Sequence, residues 1–175
     1  MVPLGFIAPK FILPNLSNNS VKISFDEIKN KNGILIMFIC NHCPYVKHIF
    51  VELIKSAKLA LNNDIGVIAI NSNNTAIYKE DSPENMQKLN LPFAYCFDES
   101  QAIAKAYKAA CTPDFYLFNE NDQCVYRGRF DNSSPGNNQP ISGKDLNQAI
   151  QNLTNKLSPI QPQLPSIGCN IKWKE

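Results

Sequence analysis

Three apolar runs, at 34–39, 65–70 and 115–118, punctuate this chain. Ile34-Leu35-Ile36-Met37-Phe38-Ile39 offers no polar face, as expected of a strand covered on both sides. Ile65-Gly66-Val67-Ile68-Ala69-Ile70 repeats that pattern. Between them Val46, Ile49, Phe50, Leu53, Ile54, Ala57 and Leu61 advance in steps of three and four, the stripe of an amphipathic helix. Pro44 falls in its first turn, where a missing N–H costs nothing. Asn62-Asn63 ends it. Strand, helix and strand of these lengths predict a right-handed βαβ unit with parallel strands.

The flanking segments complete a sandwich. Apolar stretches at 11–16 and 21–25 enclose the polar Ser17-Asn18-Asn19-Ser20 and predict a hairpin laid against the main sheet. Asn32-Gly33 is a turn signal before the first central strand. Residues 71–75 form a loop at the carboxyl end of the second. Ser82-Pro83 reads as an N-cap followed by Pro at the first helical position. A short strand is expected at 93–97. Asp98 then caps a helix carrying Ile103, Ala104 and Tyr107. Residues 114–118, the turn at 119–122 and the return at 123–130 predict a β-hairpin. Ser142 caps a last helix with Leu146, Ile150 and Leu153 on one stripe. The tail from 157 is interrupted by prolines, and Trp173 suggests that it is ordered. With no internal repeat and no boundary, the expectation is one domain over 1–175: an α/β fold of three α/β/α layers, with an N-terminal hairpin extension at 1–30 and a C-terminal tail at 157–175.

Composition narrows the function. The chain has 175 residues, 44% hydrophobic and 18% charged, enough for a sizeable core. Its net charge is +2, and the basic residues are scattered. No basic stripe interleaves with aromatics, so nucleic acid is not an expected partner. No apolar run approaches the roughly 18 residues of a membrane span, so no membrane partner is expected either. The first ten residues lack a basic leader followed by a long apolar run. The expected compartment is the cytoplasm, where thiols stay reduced. Six cysteines are too few and too dispersed for a disulfide scaffold in a chain of this length.

The candidate chemistry is Cys40-Asn41-His42-Cys43, at the junction of the first central strand and its helix. Two thiols three residues apart can close a disulfide within one turn and carry two electrons by thiol exchange. Cys40 is expected at the open N-terminus of the helix, where unpaired N–H groups stabilise a thiolate nucleophile. Cys43, one turn in, suits the resolving role. His42 either adds positive charge beside the thiolates, making the disulfide more oxidising, or sits exposed without redox effect. Cys111-Thr112-Pro113 precedes the third strand. A cis bond there would expose the Thr112 backbone to pair with an extended substrate, whereas a trans Pro would merely start a strand.

These longer strings carry a resemblance. Phe38-Ile39-Cys40-Asn41-His42-Cys43-Pro44-Tyr45-Val46-Lys47, Asp81-Ser82-Pro83-Glu84-Asn85-Met86, Cys111-Thr112-Pro113-Asp114-Phe115, Tyr126-Arg127-Gly128-Arg129-Phe130-Asp131 and Ser166-Ile167-Gly168-Cys169-Asn170-Ile171-Lys172-Trp173 together resemble the peroxiredoxin-like redoxin group of the thioredoxin superfamily. That group includes proteins labelled alkyl hydroperoxide reductase or thiol-specific antioxidant. The resemblance covers nearly the whole chain and implies a thioredoxin fold with an N-terminal extension. A peroxiredoxin site reads P-x-x-x-T-x-x-C. With Cys43 as its cysteine, Cys40 stands where Thr should be and Ile36 where Pro should be. Arg127 or Arg129 could supply charge, although the hairpin is expected to turn them toward solvent or Asp131.

The favoured expectation is therefore a thiol–disulfide oxidoreductase with no cofactor. Cys40 and Cys43 are catalytic, and His42, Thr112 and Pro113 contact substrate. Its partners are protein or small-molecule disulfides and a reducing thiol donor. A thiol peroxidase acting on hydroperoxides is the alternative. Cys111, expected within reach of Cys40, and Cys169, in a tail that could fold back, are candidate auxiliary thiols. Cys96 and Cys124 read as core thiols. A third reading is a soft-metal carrier using Cys40, His42, Cys43 and His48 with Cys111. His48 is expected at the surface, and no metal is assigned to the preferred site.

Overall fold

The computed structural model describes residues 1–174. Its main sheet is built on β3 (Gly33–Phe38) and β4 (Ile65–Asn71), the two apolar runs, paired in parallel from Gly33 opposite Ile65 to Phe38 opposite Ile70. The helix between them is α2 (Pro44–Asn62), with Pro44 as its first residue. β5 (Ala94–Phe97) lies parallel to β4. β7 (Asp114–Phe118) lies antiparallel on the other side of β3, and β8 (Cys124–Gly128) pairs antiparallel with β7.

At the far edge, β1 (Ile12–Asn15) and β2 (Val21–Ser24) form the N-terminal hairpin. The hairpin does not lie against the sheet as expected. It extends it: β1 pairs antiparallel with β5 through Asn15 and Cys96. The order is β2-β1-β5-β4-β3-β7-β8. A second, two-stranded ladder joins β6 (Cys111–Thr112) to β9 (Cys169–Asn170).

The period-two geometry of a strand divides the apolar runs between two cores. Leu35 and Met37 of β3, Val67 and Ala69 of β4, and Phe115 and Leu117 of β7 face α2 and α5 (Lys144–Thr154). Ile34, Ile36 and Phe38, with Ile68, Ile70, Tyr116 and Phe118, face the other way. There they meet Phe25 of α1 (Phe25–Ile28), Ala104 of α4 (Ala102–Ala106) and Tyr107. α3 (Pro83–Gln87) adds Met86 to the first core. The result is the expected α/β/α sandwich of the thioredoxin fold. Among the described residues, no helix is long and apolar enough to cross a membrane.

Two helix starts differ in detail from expectation. Ser82 does cap α3, accepting from the Asn85 amide. The residue ahead of α5 is Gly143, at φ 62, and not Ser142. The capping oxygen comes from Asp131, whose carboxylate accepts the Ser142 and Gly143 amides at 2.7 Å each. Asp98 likewise acts from a distance on α4: it accepts the Ala104 amide at 3.0 Å, while Gln101 is the residue at the cap.

The topology brings the chemistry-bearing segments to one edge. β3 and β4 run in parallel, so residues 39–43 and 71–73 leave the sheet at the same end. β7 begins at that end too, with Asp114 opposite Phe38, which places Thr112 and Pro113 beside the 40–43 turn. One glycine shows how closely the layers approach. A Cβ on Gly66 would overlap the Ile28 carbonyl oxygen at the end of α1. Gly66→Ala is expected to destabilise the protein by about 2–3 kcal/mol, since backbone cannot yield as a side-chain tip can. A lower urea midpoint with an unchanged slope checks it.

Candidate active site

Cys43 is the residue at the N-cap of α2, and Cys40 lies three residues ahead of that cap. This corrects the expectation that Cys40 would occupy the helix mouth with Cys43 one turn inside. Both thiols are buried, Cys40 at 1% exposure and Cys43 at 0%.

A buried carboxylate shapes the turn that carries them. Asp81 accepts the backbone amides of Asn41 and His42 on one oxygen, at 2.8 and 3.1 Å. Its other oxygen is 2.6 Å from His42 Nδ1 and accepts from Asn73 Nδ2 at 2.9 Å. Tyr95, itself in the core, donates to Asn41 Oδ1 at 2.9 Å. His42 stacks on Tyr78 with ring centroids 5.1 Å apart. His42 is therefore not an exposed loop residue. It is half-buried and held against Asp81.

Thr112 and Pro113 stand where expected. Their peptide bond is cis. Thr112 Oγ1 is 3.3 Å from Cys40 Sγ, and the Thr112 carbonyl oxygen is 3.2 Å from Cys43 Sγ. Cys111 does not face Cys40: its thiol turns toward the Pro113 carbonyl at 3.6 Å, and Thr112 takes the place across from Cys40. Burial, with the Asp114 charge adding to it, pushes the Cys111 thiol up to about 12. Burial does the same to Cys96 and Cys124.

The tail brings in a third sulfur. Cys169 of β9 sits opposite Thr112 in the antiparallel ladder, and its Sγ is 2.9 Å from Cys43 Sγ. Cys169 is partly exposed, unlike the other two.

The two thiols of the pair are driven apart in acidity. Cys43 is held well below the ordinary thiol range, first by its hydrogen bond with Cys40 and then by Cys169 and Thr112, against the cost of burial. The Thr112 carbonyl opposes this, since it repels a thiolate and accepts from a thiol. Donors at Cys40, Cys169 and the Thr112 side chain outweigh that one oxygen. Cys40 is driven far up by the same bond to Cys43, by burial and by the charge of Asp81. These interactions favour a thiolate on Cys43 over one on Cys40, and Cys43 stands at the mouth of a 19-residue helix.

Both arginines of the β8 region are engaged elsewhere. Arg127 is buried and pairs with Asp114 at 3.1 Å, and Arg129 pairs with Asp145 at 2.6 Å. Neither turns to solvent or to Asp131 as expected. His48 is half-buried, with its Nε2 enclosed and unpartnered, in a cleft beside Tyr45, Pro113, Phe130 and Ser166. A second, apolar depression lined by Ile39, Val46, Phe50 and Leu89 reaches Cys40. The donor atoms of Cys40, His42 and Asp81 lie within 4.8 Å of one another. That cluster differs from the metal set expected from the sequence, because neither His48 nor Cys111 belongs to it. Each Asp81 oxygen already serves two donors, so a metal there would have to break the bonds that hold the turn.

Comparison with known proteins agrees with this architecture. The family model described as Redoxin matches residues 4–145. No curated protein sequence matches the chain. An uncharacterized conserved protein from Geobacillus kaustophilus is 46% identical, with a TM-score of 0.96 over 99% of this chain and 94% of that one. A hypothetical protein from Sinorhizobium meliloti 1021 is 38% identical, with a TM-score of 0.95 over 99% of this chain and 96% of its own. The thioredoxin domain of a thiol-disulfide oxidoreductase from Bacteroides vulgatus is 14% identical, with a TM-score of 0.59 over 73% of this chain and 89% of that one, a likeness of fold alone. The Redoxin match takes in both central strands, the cysteine pair and the Thr112-Pro113 turn; this chain belongs to the Redoxin family, with a thioredoxin fold and a thioredoxin-like redox function.

Proposed function

We propose that the protein is a thiol–disulfide oxidoreductase in which Cys43 carries the reactive thiolate and Cys40 resolves. The observation that carries this reading is the Cys43 sulfur itself, at the N-cap of α2, 3.2 Å from the Thr112 carbonyl oxygen and 2.9 Å from the Cys169 sulfur. The roles are the reverse of those expected from the sequence, because the helix begins one residue after Cys43.

The Cys43 thiolate attacks one sulfur of a substrate disulfide. A Cys43–substrate bond forms, the substrate S–S bond breaks, and the other sulfur leaves as a thiolate that takes a proton. Cys40 then gives up its proton and attacks the Cys43 sulfur, releasing the second substrate thiol. The Cys40–Cys43 disulfide remains until an external thiol donor reduces it. His42 supports this chemistry by holding the turn through Asp81, and Thr112 lies against both sulfurs of the pair. Exchange is favoured over peroxide reduction because Arg127 and Arg129 are both consumed by carboxylates, leaving neither to bind a peroxide at the thiolate. The reading assigns the protein to the cytoplasm, where a thiol donor keeps such a pair reduced.

Two experiments test it. Peptide-disulfide reduction is expected to fall about 10³-fold in Cys43→Ser and about tenfold or more in Cys40→Ser, which cannot form the Cys40–Cys43 disulfide, with negligible hydroperoxide consumption in the wild type. Fast peroxide turnover surviving Cys40→Ser overturns the assignment.

The second is a pH titration of ultraviolet thiolate absorbance in the reduced protein. A thiolate signal is expected to persist through neutral pH and to vanish only on acidification, well below the roughly 8.5 of a free thiol. It should be absent in Cys43→Ser and should shift upward in Cys40→Ala. Stability follows the same sign. Below the ordinary thiol range the unfolded chain binds a proton that folded Cys43 refuses. The contribution is thus complete above the unfolded pKa and is lost as pH falls through the folded one.

A further inference from the structure

Cys43 is the sulfur with the reactive character, yet it has no exposed surface. Any exchange with an outside thiol needs a way in. The tail closes the obvious one. Strand β9, Cys169–Asn170, lies antiparallel on the Thr112 edge, where an extended substrate would otherwise pair. Gly168 approaches so closely that a Cβ would overlap the Thr112 carbonyl oxygen.

The tail is also pinned on both sides of this crossing. Before it, Ser166 Oγ donates to the Gly128 carbonyl at 2.7 Å, and the Leu164 carbonyl accepts the Arg129 amide at 2.9 Å. After it, the Ile171 amide donates to the Ala110 carbonyl at 3.2 Å and the Lys172 amide to Asn73 Oδ1 at 2.9 Å. Gln101 then holds the Lys172 carbonyl and the Lys174 amide. Ile171 is buried at 3% exposure. Lifting this strap for every turnover would break all of these bonds together. An internal handover needs none of them broken.

We propose that Cys169 is a third redox thiol, a relay that carries the disulfide between the buried Cys40–Cys43 pair and thiols outside. The proposal rests on thiol exchange at Cys43 as argued above. Cys169 occupies the place of a substrate cysteine: it is paired with Thr112, stands 2.9 Å from Cys43 Sγ, and is the member of the trio with a surface. A disulfide needs about 2.05 Å between sulfurs, so little motion separates contact from bond.

The handover balances without an added oxidant. Starting from the Cys40–Cys43 disulfide, Cys169 gives up its proton and attacks Cys43 Sγ. The Cys43–Cys169 bond forms, the Cys40–Cys43 bond breaks, and Cys40 takes the proton. An external thiol, as its thiolate, then attacks the exposed Cys169 sulfur. Cys43 leaves as the stabilised thiolate, the favoured leaving group of the two. A second external thiol frees Cys169 and departs with the first as their disulfide.

The test uses the full chain, oxidised with glutathione disulfide, alkylated and mapped by mass spectrometry. Cys40→Ala is expected to accumulate a Cys43–Cys169 linkage, and Gly168→Ala, which displaces Cys169 from the Thr112 edge, is expected to lower its yield in the Cys40→Ala background. In Cys169→Ser the Cys40–Cys43 disulfide still forms, but its reduction by glutathione slows about tenfold or more. Absence of the Cys43–Cys169 linkage in Cys40→Ala, or glutathione reduction of Cys169→Ser at the wild-type rate, overturns the relay while leaving exchange at Cys43 intact. Failure of Cys40–Cys43 to form in both the wild type and Cys169→Ser overturns the exchange reading itself. Circular dichroism matching the wild type confirms that each variant is folded.

Discussion

The site depends on satisfying one buried charge. Asp81 has no exposed surface, and an ionised carboxylate in that position is tolerable only if donors surround it. The donors come from the 40–43 turn and from Asn73 at the end of β4. Meeting that requirement joins the carboxyl ends of β3 and β4 and leaves the turn little freedom. The same charge has a chemical consequence. It raises the cost of ionising Cys40 and so assists in placing the thiolate on Cys43.

Acidity, access and geometry are distributed over different sulfurs. Cys43 has the helix terminus and the hydrogen-bond donors. Cys40 has the Asp81 charge opposing its ionisation. Cys169 has the surface. An exposed thiolate would react with any oxidant that reached it. Burying Cys43 beneath a pinned strand limits its encounters to sulfurs that the fold presents. A short ladder of two residue pairs is enough for this, because hydrogen bonds on either side of the crossing fix the tail.

Much of the architecture could be read from residue patterns alone. The strands β3 and β4 were evident because each is apolar without a break, and α2 because its stripe is long and Pro44 marks its start. The pairing of Thr112-Pro113 with the cysteine turn followed from their order along the chain. The reading failed where remote partners decide the outcome. The α5 cap is supplied by Asp131, eleven residues before Ser142. Arg127 looked like a solvent-facing hairpin residue, but Asp114 draws it inside. Trp173 suggested an anchored tail, yet it is 41% exposed, and the buried anchor is Ile171. Asp81 gave no local sign of its role beyond standing before a Ser-Pro helix start.

The amino-acid sequence by itself determined the layers and the presence of a cysteine pair at a strand–helix junction, since periodicity and residue spacing are local properties of the chain. Only the tertiary structure decided which sulfur is acidic and which one meets the solvent. Those properties arise from a carboxylate about 40 residues away from the pair and a tail strand more than 120 residues away, brought together by burial and backbone pairing that no local pattern encodes.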